Sequence, residues 1–285
     1  MKHNTFKEAL NTESPLQIIG TINAYCAKMA EKTGFNALYL SGAGCANASY
    51  GLPDLAMTSL DNVLEDVRRI TSVTSLPLLV DMDTGWGSEL NISRAISQLI
   101  KAGASAAHIE DQQFVKRCGH RDGKKIVETS EMVARIHAAV AGKTNPDFYL
   151  IARTDAMASE GIAGVIARAN AYLTAGADAI FAEAFYSLDD YQKLTSAISA
   201  PVLANITEFG KTPLFTTEEL KSAGVKMVLY PLSAFRAMNQ AALTVFQTIR
   251  HNGTQKAVID QMQDRKTLYD FLDYEQFEKM IDGTS

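Results

Sequence analysis

The sequence has few of the residues that mark several common protein classes. Its 285 residues include three cysteines, five histidines and one tryptophan. No two cysteines have the Cys-x-x-Cys spacing of a zinc or redox motif, and one is left over after any pairing, which favours a reducing compartment. No two histidines have metal-binding spacing, so the sequence also disfavours a zinc site.

Long apolar runs and an excess of positive charge are missing as well. No stretch approaches the roughly 18 uninterrupted apolar residues that predict a membrane span, and the N-terminal residues have no apolar core of a signal peptide. The formal net charge of −5 argues against nucleic-acid binding, which needs a basic face to displace counterions. We therefore expect a soluble cytoplasmic protein with neither a nucleic-acid nor a membrane partner.

A repeated pattern organises the chain, and its 47% hydrophobic content allows a sizeable core. A helical segment ends in a turn with glycine, and a short apolar run follows, at 31–42, 101–111, 174–184 and 221–231. Glycine is typical of a helix C-terminus, where left-handed backbone is unstrained only without a Cβ. The apolar run is typical of a strand buried on both faces, as parallel sheets require.

Further short apolar runs at 16–19, 76–80, 148–152 and 202–206 bring the number of predicted strands to eight, with helical patterns between most of them. This alternation predicts a (β/α)8 barrel, a fold that often takes about 250 residues. A doubly wound open sheet is the alternative, but no Gly-x-Gly-x-x-Gly opens a helix. Residues 233–250 and 254–271 predict two further helices, so we expect one barrel domain, 1–285, with a C-terminal helical extension, 233–285.

Carboxylates follow the predicted strands at the end where a (β/α)8 barrel has its active site. Asp81 and Asp83 come after the third predicted strand, Glu110 after the fourth and Glu183 after the sixth. Such hard oxygen ligands suit Mg²⁺ or Mn²⁺ better than zinc. The alternative for any single residue is a helix cap or a solvated turn. We predict Asp81, Asp83 and Glu110 as metal ligands.

The segment Lys-Arg-Cys-Gly-His at 116–120 places the thiol of Cys118 among cationic side chains. Neighbouring cations favour a thiolate, and the group could act as a nucleophile or as an acid–base group; an incidental loop cysteine is the alternative.

The loop 114–128 is rich in charge and glycine, so we predict a mobile lid. Arg153 follows a buried strand and is a candidate to bind a substrate carboxylate, as are Arg236, Arg265 and Lys116.

Taken together, eight segments resemble the isocitrate lyase/phosphoenolpyruvate mutase superfamily. They are SGAG at 41–44, GLPD at 51–54, VDMDTGWG at 80–87, HIEDQ at 108–112, KRCGH at 116–120, ARTDA at 152–156, NITEFG at 205–210 and LYPLSAFRAMN at 229–239. The resemblance runs from about residue 14 to beyond residue 275. Within the superfamily the chain is most similar to the lyases of 2-methylisocitrate.

The resemblance implies a carbon–carbon lyase that cleaves 2-methylisocitrate to pyruvate and succinate in the 2-methylcitrate cycle of propionate catabolism. It also implies a homotetramer whose eighth helix swaps onto a partner subunit, and Mg²⁺, with Mn²⁺ as a possible substitute, held at Asp81 and Asp83. The implied catalytic residues are Cys118 as proton donor, with Tyr39, Asp54, Lys116 and His120; the general base is open between Tyr39 and Asp54. The expected substrate contacts are Ser41, Gly42, Ala43, Cys118, Gly119, Arg153, Glu183, Asn205, Ile206, Thr207, Arg236 and Arg265.

Two positions depart from the family pattern, and several alternatives stay open. Ala43 stands where the family commonly has glycine, and Ala182 where relatives have proline, which affects the expected fit of the substrate rather than the chemistry. Isocitrate lyases share the cysteine segment but are much longer chains. Phosphonopyruvate-processing enzymes and oxaloacetate decarboxylases fit the length but typically lack the KRCGH segment. A metabolite-sensing barrel and a metal-dependent aldolase without a thiol are the alternatives from other classes.

Overall fold

The apolar runs form eight strands that close into a parallel barrel. The computed structural model describes residues 5–114, 116–117, 119–121 and 123–283. Each strand pairs in parallel with the next, and the first pairs with the eighth in the register Leu16 opposite Met227. The strands are β1 Leu16–Gly20, β2 Ala37–Leu40, β3 Leu78–Asp81, β4 Ala106–Glu110, β5 Tyr149–Thr154, β6 Ala179–Ala182, β7 Val202–Asn205 and β8 Met227–Tyr230. The predicted (β/α)8 barrel is confirmed.

One helix precedes the first strand, and the other helices follow the strands along the chain. The helices are α1 Phe6–Thr12, α2 Ala24–Lys32, α3 Gly42–Gly44, α4 Leu60–Thr71, α5 Glu89–Lys101, α6 Thr129–Ala141, α7 Met157–Thr174, α8 Leu188–Ala197, α9 Thr217–Ser222, α10 Ser233–Asn252, α11 Arg265–Leu272 and α12 Tyr274–Ile281. A π-helical segment, Cys45–Ser49, continues α3, and a 3-10 helix spans Lys256–Gln261. The turn glycines of the repeated pattern, at 34, 103, 176 and 224, all have positive φ, as their sequence positions predict.

The buried side chains form two layers. One lies inside the barrel and includes Leu79, Ile151 and Phe181; the other lies between the strands and the helices. Phe6 of α1 belongs to the inner layer and packs on the ring of Tyr149 at a centroid distance of 5.2 Å. Because apolar side chains fill the barrel interior, the polar residues gather at the carboxyl ends of the strands.

The C-terminal segment differs from the prediction in part. Helix α10 confirms the helix expected over 233–250, but a single helix over 254–271 is wrong. The Asp264 side chain accepts a hydrogen bond from the Thr267 backbone N–H at 2.7 Å and so starts a new helix, α11. Asp273, with φ of 54°, ends α11 and leads into α12. None of the helices in the described part of the chain is long and apolar enough to cross a membrane.

Candidate active site

A pocket opens at the carboxyl ends of the strands, where the sequence predicted the site. Side chains from β2 to β8 and the loop after β4 line it. Most of the predicted residues lie on its wall: Tyr39, Ser41, Ala43, Asp54, Asp81, Lys116, Gly119, His120, Arg153, Glu183, Asn205, Thr207 and Arg236. The barrel thus brings together residues from β2 through to the start of α10, which are far apart in the chain.

Three buried carboxylates form a cluster on one side of this pocket. One oxygen each of Asp81, Asp83 and Glu110 lie within 4.8 Å of one another. Asp81 is held in place because its Oδ2 accepts the Gly42 backbone N–H at 3.1 Å and its Oδ1 accepts the Asp83 N–H at 3.0 Å. Asp83 adopts φ of 48°, an uncommon conformation for a residue with a Cβ that is often found at functional sites. Glu183 lies outside the cluster.

The cluster could hold a metal ion. Glu110 is fully buried, and its Oε1 has no hydrogen-bond partner among the described residues, which is costly unless a ligand satisfies it. Gly42 leaves room beside the carboxylates, since a Cβ there would lie 3.1 Å from Asp81 Oδ2 and 3.2 Å from Asp83 Oδ1. Among the described residues the candidate ligands are all carboxylate oxygens, the ligand type that hard metal ions prefer.

Burial raises the pKa of two carboxylates in this cluster. Burial raises the pKa of Glu110 well above its ordinary value, and burial with the nearby carboxylates raises the pKa of Asp83 to about 6. Lys116 offsets part of the negative charge, with its Nζ 2.7 Å from Asp83 Oδ1 and also paired with Asp54. Although burial opposes it, the attraction of these carboxylates raises the pKa of Lys116 well above its ordinary value. Lys116 therefore stays cationic and is unsuited to act as a base.

Tyr39 and His108 form a chain of buried hydrogen bonds that ends at Asp81. The Tyr39 oxygen lies 3.0 Å from His108 Nε2 and 3.3 Å from Asp81 Oδ2. Burial lowers the pKa of His108 to about 4, so this histidine is neutral and its Nε2–H can donate to Tyr39, whose hydroxyl donates to Asp81. Burial and the charge of Asp81 raise the pKa of Tyr39 well above its ordinary value, so the phenol stays protonated. His108 is thus a fully buried residue whose Nε2 is satisfied by Tyr39.

Arg153 lies at the centre of the buried charges. Its Nε and Nη2 donate to the two oxygens of Asp155 at 2.9 and 3.2 Å, and its Nη1 lies 3.3 Å from Glu110 Oε2. Lys124 donates to Asp155 Oδ1 at 2.7 Å from the other side. Although burial opposes it, these two cations lower the pKa of Asp155 to about 2, so the pair stays ionised. The guanidinium also packs over the Phe181 ring at 5.3 Å.

The opposite side of the pocket is built by Glu183, Asn205 and His120. Asn205 Nδ2 donates to Glu183 Oε2 at 3.1 Å, and His120 Nε2 lies 3.4 Å from Glu183 Oε1. The Lys211 backbone N–H donates to His120 Nδ1 at 3.0 Å, which places the ring proton on Nε2, facing Glu183. Burial lowers the pKa of His120, so the ring is neutral near pH 7. His120 therefore links the loop after β4 to the loop after β7.

Some predicted residues lie elsewhere. Cys118 lies outside the described residues, although Arg117 and Gly119 on either side of it line the pocket. Ile206 is buried in the layer between strands and helices rather than on the pocket wall. Arg265 is exposed at the start of α11 and does not line the pocket of this chain. The roles of these residues stay predictions.

The structure adds pocket residues that the sequence did not single out. Phe181, Leu229 and Leu232 provide an apolar wall among the polar groups. Phe209 is 93% exposed with φ of 61°, and the Arg236 guanidinium lies 5.5 Å from the centre of its ring. Apolar side chains at strand ends have the same sequence pattern as core residues, so periodicity gave no signal for them.

The fold and the site define a (β/α)8-barrel protein with a buried cluster of carboxylates that could hold a metal ion. The sequence profile of the phosphoenolpyruvate phosphomutase family matches residues 6–250. The chain is 58% identical over 277 residues to a 2-methylisocitrate lyase of Shewanella oneidensis, covering 97% of this chain and 95% of that protein. It is 57% identical over 279 residues to a 2-methylisocitrate lyase of Escherichia coli, covering 98% and 94%.

Solved structures agree with this relationship. An oxaloacetate acetylhydrolase in complex with the inhibitor 3,3-difluorooxalacetate superposes with a TM-score of 0.90 at 32% identity, covering 98% of this chain and 95% of the other. A phosphonopyruvate hydrolase in complex with oxalate and Mg²⁺ superposes with a TM-score of 0.82 at 29% identity, covering 95% of each chain. The chain belongs to the phosphoenolpyruvate phosphomutase family. Within that family it groups with the 2-methylisocitrate lyases, and it is a lyase.

Proposed function

We propose that this chain cleaves 2-methylisocitrate to pyruvate and succinate with the help of Mg²⁺, as a step of propionate breakdown. The observation that carries the proposal is the cluster of three buried carboxylates, whose Asp81 lines one pocket with Lys116 and with the residues on either side of Cys118. The similarity to 2-methylisocitrate lyases over nearly the whole chain supports this substrate. The 2-methylcitrate cycle is the corresponding route.

Asp81, Asp83 and Glu110 would hold the metal ion. A bound Mg²⁺ supplies a Lewis acid that lowers the pKa of the substrate hydroxyl and neutralises an adjacent carboxylate. Mn²⁺, which takes similar oxygen ligands, is the expected substitute. A phosphonopyruvate hydrolase of the same fold was solved with Mg²⁺, which supports the choice of metal.

Asp54 is the better candidate for the general base. The base takes the proton of the substrate hydroxyl, the oxygen–hydrogen electron pair becomes the carbonyl bond of pyruvate, and the carbon–carbon bond breaks. Asp54 lies on the pocket wall in contact with the permanently cationic Lys116. Tyr39 is disfavoured because its raised pKa keeps the phenol protonated, and its hydrogen is already directed to Asp81.

Cleavage leaves the bonding electrons on the carbon that becomes part of succinate, next to a carboxylate. Donors in a water-poor pocket can stabilise this aci-carboxylate. Arg153 and the amide of Asn205 are the candidate donors, since both line the pocket. Cys118 then gives its thiol proton to the carbon, which completes succinate and leaves a thiolate among the cations of the loop. Negative charge of the bound tricarboxylate favours the protonated thiol before this step.

The assembly is proposed to be a homotetramer in which the C-terminal helices pack on a partner subunit. No residue of α10 is buried, although the helix carries exposed Met238, Leu243, Phe246 and Ile249. Helix α12 also exposes apolar side chains, with Ile281 at 83%. Apolar side chains exposed together along a helix are typical of a surface that another subunit covers. Light scattering combined with gel filtration measures the subunit number directly.

The chain is proposed to act as one barrel domain over 1–285, with 233–285 as a helical extension. The cytoplasmic location that the sequence predicts stays a prediction. Limited proteolysis should release fragments only from the extension, and a cut that divides the barrel into stable halves would contradict a single domain.

A product assay with two substrates tests the activity. The purified protein is incubated with Mg²⁺ and either 2-methylisocitrate or isocitrate, and pyruvate and glyoxylate are measured. We expect pyruvate from 2-methylisocitrate at a kcat/KM well above that for glyoxylate from isocitrate. A preference for isocitrate, or release of neither product, would contradict the proposed substrate.

A further inference from the structure

Gln112, which follows β4, binds the backbone of the active-site loop at two points. Its carboxamide Nε2 donates to the Arg117 carbonyl at 2.9 Å, and its Oε1 accepts the Arg117 N–H at 3.0 Å. Gln112 is 1% exposed, whereas its partner Arg117 is exposed, so both hydrogen bonds are partly buried. A carboxamide is the side-chain group that offers a donor and an acceptor in this arrangement, as a backbone peptide does in a sheet.

The backbone of Gln112 is itself firmly held. It forms an antiparallel bridge with Ile126, and the Val127 N–H donates to the Asp111 carbonyl at 2.8 Å. The buried Arg135 of α6 donates from Nη1 to the carbonyls of both Glu110 and Gln112, at 3.1 and 2.8 Å. The two ends of the loop are thus joined and fixed to the outer helix, which makes Gln112 a rigid point of attachment.

The residues around Arg117 reach both sides of the active site. Lys116, directly before it, contacts Asp83 of the carboxylate cluster. Gly119 faces the opposite wall so closely that a Cβ there would lie 1.9 Å from Glu183 Oε1 and 2.4 Å from Arg153 Nη2. Any displacement of Arg117 therefore moves the segment that joins these two contacts.

We infer that Gln112 is a positioning residue that, through the Arg117 backbone, holds Lys116 and Gly119 at the two walls of the active site. This inference rests on the proposed function, because the positions of Lys116 and Gly119 matter for turnover only if the substrate binds in the pocket between these walls. Gln112 does not touch the pocket, so it acts through the Arg117 backbone and not on the substrate. The expected consequence of its loss is a lower rate of the chemical step with little change in metal binding.

The test compares Gln112→Met, which keeps length and volume but removes both hydrogen bonds, with Gln17→Met as the matched control. Gln17 is a half-buried glutamine on β1, whose side chain contacts Glu13 before the strand and far from the pocket. We expect kcat of Gln112→Met to fall by about 10- to 100-fold, as the loss of two partly buried hydrogen bonds suggests. We expect KM and the Mg²⁺ activation constant to change less than about threefold. The control should keep wild-type values.

Amide hydrogen exchange gives a readout that does not depend on turnover. In the wild-type protein the Arg117 amide should exchange at least about 10-fold more slowly than a free amide, and Gln112→Met should lose that protection while the barrel strands keep theirs. An unprotected Arg117 amide in the wild type, or wild-type kcat in a folded Gln112→Met, overturns the inference. If the wild type shows no lyase activity but the amide behaves as expected, the proposed function fails and the loop attachment stands.

Discussion

Replacing Glu110 by glutamine should change protein stability in opposite directions with and without metal. Burial raises the pKa of Glu110, so in the metal-free protein its favourable contribution is present at low pH and is lost as pH rises towards the folded-state pKa. The free energy of unfolding therefore falls by up to about 1.4 kcal/mol per pH unit for this one proton, but only between the unfolded-state pKa and the raised folded-state pKa. A glutamine side chain has no such proton to lose, so Glu110→Gln should be the more stable protein near pH 8 in EDTA.

Mg²⁺ should reverse this order. Binding at 100 times the dissociation constant stabilises the folded state by about 2.7 kcal/mol. The variant, which lacks one of three carboxylates, should gain much less. Urea unfolding in EDTA and in Mg²⁺ measures both effects. Glu183→Gln is the matched control, because Glu183 is a buried glutamate of the same pocket outside the cluster, and it should keep the full metal effect. An equal Mg²⁺ stabilisation of Glu110→Gln would refute the assignment of Glu110 as a ligand.

Three further predictions follow from single contacts. Gly119→Ala places a Cβ 1.9 Å from Glu183 Oε1, so kcat/KM should fall at least about 100-fold while the melting temperature changes little; near-normal kinetics would contradict the position of the loop. Tyr172→Phe removes a 2.8 Å hydrogen bond to the buried Asp111 and should cost about 1–3 kcal/mol in urea unfolding, whereas an unchanged midpoint would contradict it. Cys118→Ser should lower kcat by roughly 10²–10⁴-fold with an unchanged Mg²⁺ effect, and near-full turnover would exclude the thiol as proton donor.

The sequence predicts the barrel well because local patterns determine it. Each turn glycine and the apolar run after it report a helix end and a buried strand without knowledge of distant residues, and positive φ at Gly34 and Gly176 confirms them. The same logic predicts the carboxylate cluster, since strand order alone brings Asp81 and Glu110 to neighbouring strand ends. The split of the segment 254–271 was missed because a side-chain cap at Asp264 interrupts a pattern that periodicity alone reads as continuous.

Contacts between distant loops could not be predicted from the sequence. The attachment of His120 to the Lys211 backbone joins residues 91 positions apart, and nothing in either segment indicates its partner. Protonation states could not be predicted from the sequence either. The raised pKa of Tyr39, for example, results from its burial beside Asp81, which only the structure shows. That finding shifts the choice of general base from Tyr39 towards Asp54. The role of Arg265 stays a prediction, since its exposed position places it on no wall of this chain's pocket.

The most direct test of the proposed activity is to follow the conversion of 2-methylisocitrate in D₂O by proton NMR, with Mg²⁺ and again with EDTA. We expect equimolar pyruvate and succinate in the presence of Mg²⁺, with one deuterium in each succinate at the carbon released by cleavage, and no products in EDTA. Absence of succinate, or cleavage that proceeds equally in EDTA, would contradict a metal-dependent lyase that protonates a succinate carbanion.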